Sequence, residues 1–455
     1  MAISAIGRRA WRDLDGDPSA LDLIEAPEPA VVLPSALDVA ALVTDGVALT
    51  ALAVHLASAG RTGRPPAPVH LRGDRITTSV SSERHFRLNA DEPDVWAPLS
   101  GFWRTADGWV RTHANYPHHE HRLRRLVGIG PDASPETFAR ALTRWNALDL
   151  EERAATAGAV VAAVRDEAAW RRHPRARADA PLIPATWTDG AAPRAWSGTG
   201  RPLAGVRVLD LTRVIAGPVA TRDLAFAGAD VLRIDSPRHP EIGWQHLDTG
   251  QGKRSATLDL DVPEDRALLD GLLRRADAVV TGYRPGSLDR RGLSPAELTG
   301  RFPGLVVGTV SAWGTAGPWA GRRGFDSIVQ AATGIALLEG PGGGTPASLP
   351  AQVLDHTAGH LLAAAVVRCL GDQRRRGGSW HVSIALARVA AELLAAPRPD
   401  RAAAGGPAPA TVQTYRTPAG ALTCAAPVLT YAGAPARYPD AGRPWGADRP
   451  GWLGG

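Results

Sequence analysis

The apolar positions of this chain change period along its length, and the change marks its elements. From Pro202 to Asp235 (PLAGVRVLDLTRVIAGPVATRDLAFAGADVLRID) short aliphatic runs flank a longer apolar stretch. Val206, Val208 and Leu209 predict a strand ending at Asp210. Ala216-Gly217-Pro218 breaks the chain and starts a helix over Val219 to Ala227, with proline at home in the first turn and Gly228 as the stop. Val231, Leu232 and Ile234 predict a second strand. Strand, helix and strand in this order imply a right-handed βαβ unit in a parallel sheet, with a ligand expected at the carboxyl ends of the strands.

The alternation continues downstream. RSATLDLD, DAVVTGY and LVVGTVSAWG read as strands, PEDRALLDGLLRRA as an amphipathic helix and Pro295 to Thr299 as a short one. FDSIVQAATGIALLEG reads as helical to Gly340. PGGGTPASLP is a loop, and a helix from His356 to Leu370 follows Asp355. Upstream, the pattern predicts a helix from Gly46 to Ser58 with Asp45 as its N-cap. VHLRGDRITTSV reads as strand or hairpin. FWRTADGWVRTHA reads as a hairpin around Ala106-Asp107-Gly108, followed by a helix from His118 to Val127 and two or three more. Ala180 to Arg201 reads as a linker. Residues 42–71 repeat the pattern of 352–382, with Asp45 aligned on Asp355.

These elements predict an α/β protein: an open parallel Rossmann-like sheet with a second, small α+β domain. Residues 1–90 are expected as a partial repeat, 91–185 as the small domain and 186–200 as a linker. Residues 201–400 are expected as the large domain and 401–455 as a C-terminal return segment.

Composition removes several functional classes. No apolar run approaches the ~20 residues of a membrane span, and the N-terminus carries acids early, so a cytoplasmic protein without membrane partners is expected. The net charge of +5 is dispersed, and the densest basic run, RRHPRAR at 171–177, reads as solvated, so no nucleic-acid partner is expected. Cys369 and Cys424 read as buried thiols. His113, His118, His119 and His121 crowd with Glu120, but HHEH in the first turn of a helix reads as solvated, and no metal is expected. Lys253 is the only lysine among 51 basic residues, which leaves open whether its compact ammonium is needed or it survives by chance. Neither G-x-G-x-x-G after the first strand nor G-x-S-x-G occurs, which argues against a nicotinamide dehydrogenase and a hydrolase triad.

Four motifs in sequence order carry a family resemblance over about 190 residues. They are Pro202 to Asp210 with Arg213 to Pro218 and Gly228 to Val231; Gly252 to Ser255 with Leu258 to Leu260; Tyr283 to Gly286 with Leu288, Gly292 and Leu293; and Trp313-Gly314, Gly317-Pro318 and Gly324 to Asp326 with Gln330. In these the chain resembles the family III CoA-transferases, relatives of formyl-CoA and carnitine CoA-transferases. The resemblance implies a Rossmann-like sheet plus a small domain, an interlocked dimer, and transfer of coenzyme A between carboxylic acids. It implies Asp355 as nucleophile. It places CoA against Ile215, Ala216, Leu258 to Asp261 (Asp259 included), Gly282, Tyr283, Arg284, Arg290, Arg323, Gly324 and Phe325. Coenzyme A thioester is then a substrate, with no tightly bound cofactor; the partners are an acyl-CoA donor and a carboxylic acid acceptor.

The chain departs from that pattern in three ways. Ser236 stands where an adenine-facing arginine often does, and the glycine-rich covering loop has no match before Phe102. A copy of the Asp helix and the small domain precede the Rossmann part instead of following it. This order predicts a permuted or partly duplicated chain whose N-terminal half replaces a partner, so that an intramolecular pseudo-dimer stands beside a homodimer as the expected assembly.

The chemistry expected is acyl-enzyme formation. A carboxylate attacks a thioester to give a mixed anhydride, which the acceptor acid then resolves. A helix N-terminus favours the ionised carboxylate by roughly 0.3–1 kcal/mol and offers N–H groups to the developing oxyanion. Arg213, Arg254, Arg284 and Arg290 are candidate phosphate partners. Asp45 is read as a structural cap. The competing readings are a 2-methylacyl-CoA racemase of the same family, disfavoured because Phe325 cannot titrate where those enzymes carry histidine, and a non-catalytic CoA-binding or scaffold protein. Trp96, Trp103, Trp109, His113 and Tyr116 are expected to wall the acid pocket.

Overall fold

The computed structural model describes residues 3–173, 180–399 and 409–454. The apolar runs become a seven-stranded sheet: β1 (Ala185–Thr188), β2 (Arg207–Leu211), β3 (Asp230–Asp235), β4 (Lys253–Thr257), β5 (Ala278–Thr281), β6 (Val306–Ser311) and β7 (Ser379–Ala385). Its order is β1-β7-β6-β5-β2-β3-β4, parallel throughout except for β1, which runs antiparallel along the β7 edge. The order reverses between β2 and β5, the position where a ligand crevice forms in open α/β sheets. β1 lies partly in the expected linker. Its ATWT sequence is exposed on both faces, so hydrophobic alternation could not announce it.

Five helices organise the site and its support: α1 (Ala5–Asp13), α2 (Val39–Thr62), α3 (Ala216–Phe226), α4 (Asp326–Thr333) and α5 (Val353–Arg376). α3 starts three residues before the expected Val219. Gly217 is required there, because a Cβ would sit 2.4 Å from the Thr212 side chain. The lone lysine explains the rest of this turn. Lys253 Nζ is buried and donates to Asp210 Oδ2 at 3.1 Å, the Pro218 carbonyl at 2.7 Å and Thr221 Oγ1 at 2.6 Å. A compact ammonium satisfies three acceptors converging on one point, which a planar guanidinium cannot do.

Asp45 and Asp355 do not open their helices. α2 starts at Val39 with Asp38 as N-cap, so Asp45 lies in its second turn. α5 starts at Val353 after Gln352, which leaves Asp355 in the first turn. The two helices pack against each other closely. A Cβ on Gly46 would lie 3.3 Å from His360 Cβ, and Thr50 Oγ1 donates to the His360 carbonyl at 2.6 Å. Both are long and apolar enough to cross a membrane, but 83% and 94% of their apolar windows are buried in the protein, which makes them core helices.

α2, α3 and α5 share one core with one face of the sheet, and the helices Pro263–Leu273 and Pro295–Arg301 cover the other. The expected hairpin forms as Gly101–Arg104 against Trp109–Thr112, with Val161–Ala163 as third strand and its own core. Gly420–Ala425 pairs with Val412–Thr417 on one side and Arg87–Leu88 on the other, tying the C-terminal return to the N-terminal region. Gly73–Val80 is helical rather than a strand. The helix after Phe325 is interrupted at Gly334, whose φ of 94° ends it. Residues 174–177 of the basic run lie outside the described residues. Cys369 and Cys424 are free and buried.

Candidate active site

The carboxyl ends of β2 to β6 open onto one cleft of about 660 Å³. Of the positions expected to bind CoA or act on it, Arg213, Ala216, Leu258, Asp259, Asp261, Gly282, Tyr283, Arg284, Arg290, Arg323, Gly324, Phe325 and Asp355 all line it. Ile215 does not; it is the residue preceding α3. Gly324 is dictated by packing, because a Cβ would stand 2.4 Å from Ala312 Cβ.

Asp355 is buried at the cleft wall, and its backbone N–H donates to Asp326 Oδ2 at 2.9 Å. Asp326 Oδ1 accepts from Gln330 Nε2 at 2.5 Å, and Gln330 Oε1 accepts from the Leu349 N–H at 2.9 Å. Asp326, in the sequence only a motif residue, thus caps α5 from α4. Among the described residues none donates to the Asp355 carboxylate. Burial, and after it the Asp326 charge, push the Asp355 carboxyl well above the usual carboxylate range. Burial raises Asp326 as well. Two carboxylates with one shared environment resist double ionisation.

Asp45 contrasts with this. Its carboxylate accepts from the Ser4 N–H at 3.0 Å, from the Gly7 N–H at 2.8 Å and from Ser4 Oγ. The N-terminus of α1 saturates it, and it does not line the cleft. The expectation that it caps its own helix is therefore corrected: Asp45 caps α1.

The arginines sort into two groups. Arg254 is paired with Asp230 at 2.7 Å and does not line the cleft, so it is not placed as a phosphate partner. Arg213 lines the cleft but is committed to Glu241, which also accepts from Arg233, the Tyr116 hydroxyl and the Val214 N–H. Against burial, Arg213 and Arg233 hold Glu241 down to about 2. The same contact fixes Val214 at φ 70°, a left-handed conformation that is unusual for a β-branched residue. Arg122, Arg284 and Arg323 also face the cleft, and none is ion-paired among the described residues. Burial first, then Arg284 and Arg122, lower Arg323 to about 10. Three mutually repelling guanidinium groups on one wall form an anion site.

Arg122, His118, His119 and Arg238 were not expected here. Arg122, His118 and His119 come from the helix Pro117–Val127 of the small domain, far before the strand ends they face in the chain, and no local pattern signals that convergence. Arg238, two residues beyond Ser236, lines the cleft and pairs with Asp259 and Asp261. Of the expected aromatic wall only Tyr116 lines the cleft. His113 lies against it, stacked on Phe325 at 3.7 Å with 5° between the planes.

Comparison with known proteins decides the family. The sequence profile of CoA-transferase family III matches residues 203–434, half of the chain. The chain belongs to that family. It is 33% identical over 212 residues to a probable fatty acyl-CoA transferase of Mycobacterium tuberculosis, covering 44% of this chain and 54% of the relative. It is 32% identical over 213 residues to a succinate–glutarate CoA-transferase of Agrobacterium fabrum, covering 43% of this chain and 53% of the relative. Among solved structures, a hypothetical protein from Mycobacterium tuberculosis aligns at 34% identity and a TM-score of 0.41, covering 43% of this chain and 58% of that one. The chain spans about half the length of the curated relatives it matches.

Proposed function

We propose that this chain transfers coenzyme A between carboxylic acids with Asp355 as nucleophile. The observation that carries the reading is the pairing, in one cleft, of a carboxylate that no described residue engages with a wall of unpaired arginines. The Asp355 carboxylate attacks the thioester carbonyl. The C–S bond breaks, the CoA thiolate leaves, and an acyl–aspartyl anhydride forms. The thiolate then attacks the aspartyl carbonyl, releasing the first acid and leaving an aspartyl thioester. The acceptor carboxylate attacks that thioester, and the thiolate returns to the new acyl group to give the second acyl-CoA and free Asp355.

Arg122, Arg284 and Arg323 hold the phosphates of CoA. Relatives named for succinate, glutarate, D-citramalate, L-malate and oxalate support small carboxylic acids as the substrate class. α2, packed on α5, takes the place of a partner chain's helix, and the protein works as an intramolecular pseudo-dimer. Residues 200–455 folding and staying soluble by themselves would sink that part. The chemistry is tested by loading from a panel of acyl-CoA donors, with the adduct expected on Asp355.

A further inference from the structure

The small domain holds a buried cation that the chemistry above does not use. Arg111, on the middle strand Trp109–Thr112, is 6% exposed. Among the described residues no group accepts a hydrogen bond from its guanidinium, and its Nε is fully buried without a partner. An arginine stays charged, so burying it unpaired is costly. Two aromatic faces recover part of that cost: its Cζ lies 4.6 Å from the Trp96 ring and 4.8 Å from the Phe102 ring. The carboxylate that its charge senses is Asp326. Both Asp326 oxygens are already taken, by Gln330 and by the Asp355 N–H.

A second unpartnered group stands beside it. His113 is 6% exposed, and its Nδ1 has no partner. Burial, then the Arg111 charge, push His113 down to about 3, so it is a neutral imidazole at any working pH. His113 connects the box to the active site, because its ring meets Trp96 edge-on at 6.0 Å and stacks on the cleft residue Phe325 at 3.7 Å. Trp96, 38% exposed, carries the box to the surface.

We propose that Arg111, boxed by Trp96 and Phe102 and flanked by His113, is the receptor for a carboxylate of the acid substrate. The guanidinium fork takes both carboxylate oxygens, and the aromatic rings fix its plane. The carboxylate is either the reacting one or the distal one of a dicarboxylic acid. This deepens the transferase reading and rests on it for the identity of the ligand as substrate.

The test uses Arg111→Met and Arg111→Lys in the full chain. Replacing an unpaired buried cation by methionine leaves thermal stability equal or higher; Arg111→Lys keeps the charge and serves if methionine does not fold. Loading of Asp355 from acetyl-CoA keeps the wild-type rate in both if Arg111 takes a distal carboxylate, and falls in step with acetate discharge if it takes the reacting one, because those two steps are the reverse of each other. Discharge of the adduct by added acid then needs roughly ten- to a hundredfold more acid in Arg111→Met, with Arg111→Lys between. Equal losses with acetate and succinate assign Arg111 to the reacting carboxylate; a loss with succinate alone assigns it to the distal one. Calorimetric titration with succinate gives the same ranking without turnover. If wild type never loads but succinate binding still depends on Arg111, the transferase reading falls and the carboxylate site stands. Unchanged discharge and unchanged binding in both variants overturn the proposal.

Discussion

Replacing Lys253 by methionine tests whether the only lysine holds the active-site turn. The ammonium is 3% exposed and the opposing Asp210 is fully buried, with Nζ 3.1 Å from its Oδ2. Burial, joined by the Arg233 and Arg222 charges, pushes the Lys253 ammonium down to about 8, even with Asp210 and its hydrogen bond pulling it back. Methionine matches the stem but takes from Asp210 its hydrogen-bonded cation, leaving Thr212, Thr221 and the more distant Arg233 charge, and removing one partner of a buried pair costs about 3–5 kcal/mol. Two further acceptors, the Pro218 carbonyl and Thr221 Oγ1, lose their donor at the first turns of α3, whose Ala216 lines the cleft. In thermal and urea unfolding followed by tryptophan fluorescence, Lys253→Met is expected to lose about that amount. Adding Asp210→Asn should recover more than half, because the charge that lost its lysine is then gone. Lys253→Arg should not rescue, since its fork cannot meet three acceptors around one point. A Lys253→Met penalty below about 1 kcal/mol, or full stability in Lys253→Arg, would refute the reasoning.

Other outcomes follow from the site. Asp355 has a folded-state pKa raised above its unfolded value, so its stabilising contribution is complete below the unfolded pKa and is lost as pH rises through the folded one. Asp355→Asn should therefore melt higher than wild type at pH 7–8, with the difference vanishing near pH 4. Asp326→Asn keeps an oxygen for the Asp355 N–H but removes the neighbouring charge, so the pH profile of adduct formation should move to lower pH. Arg323→Ala and Arg284→Ala should raise the KM for acyl-CoA and flatten its salt dependence, whereas Arg254→Ala, paired with Asp230 away from the cleft, should leave both unchanged. Asp45→Ala should lower the melting temperature by releasing the α1 N-terminus, with about 1–2 kcal/mol lost and adduct formation retained.

The Rossmann core is legible in the sequence because its strands are buried on both faces and carry continuous aliphatic runs, as in Ala278, Val279 and Val280 of β5. Positions at strand ends follow from the same pattern, which is why the residues named from the motifs converge on one cleft. Elsewhere local sequence misleads. Asp45 before Gly46 looks like a helix start, yet Asp38 caps the chain earlier and the apolar pattern runs through the aspartate. RITTSV is rich in β-branched residues, but it packs against the α2 core and becomes helical, so burial outweighs propensity. β1 has no apolar alternation, and only the open edge of β7 makes it a strand. Arg122 and His119, and Arg111 with its aromatic box, meet the site through tertiary folding and leave no spacing to read.

The most direct measurement is intact-protein mass after mixing with acyl-CoA donors and then hydroxylamine, in wild type, Asp355→Ala and Asp45→Ala. A hydroxylamine-sensitive acyl adduct in wild type and Asp45→Ala that is absent from Asp355→Ala is the predicted result. An adduct that persists in Asp355→Ala, or no adduct with any donor despite measurable CoA binding, contradicts the assignment of Asp355 as nucleophile.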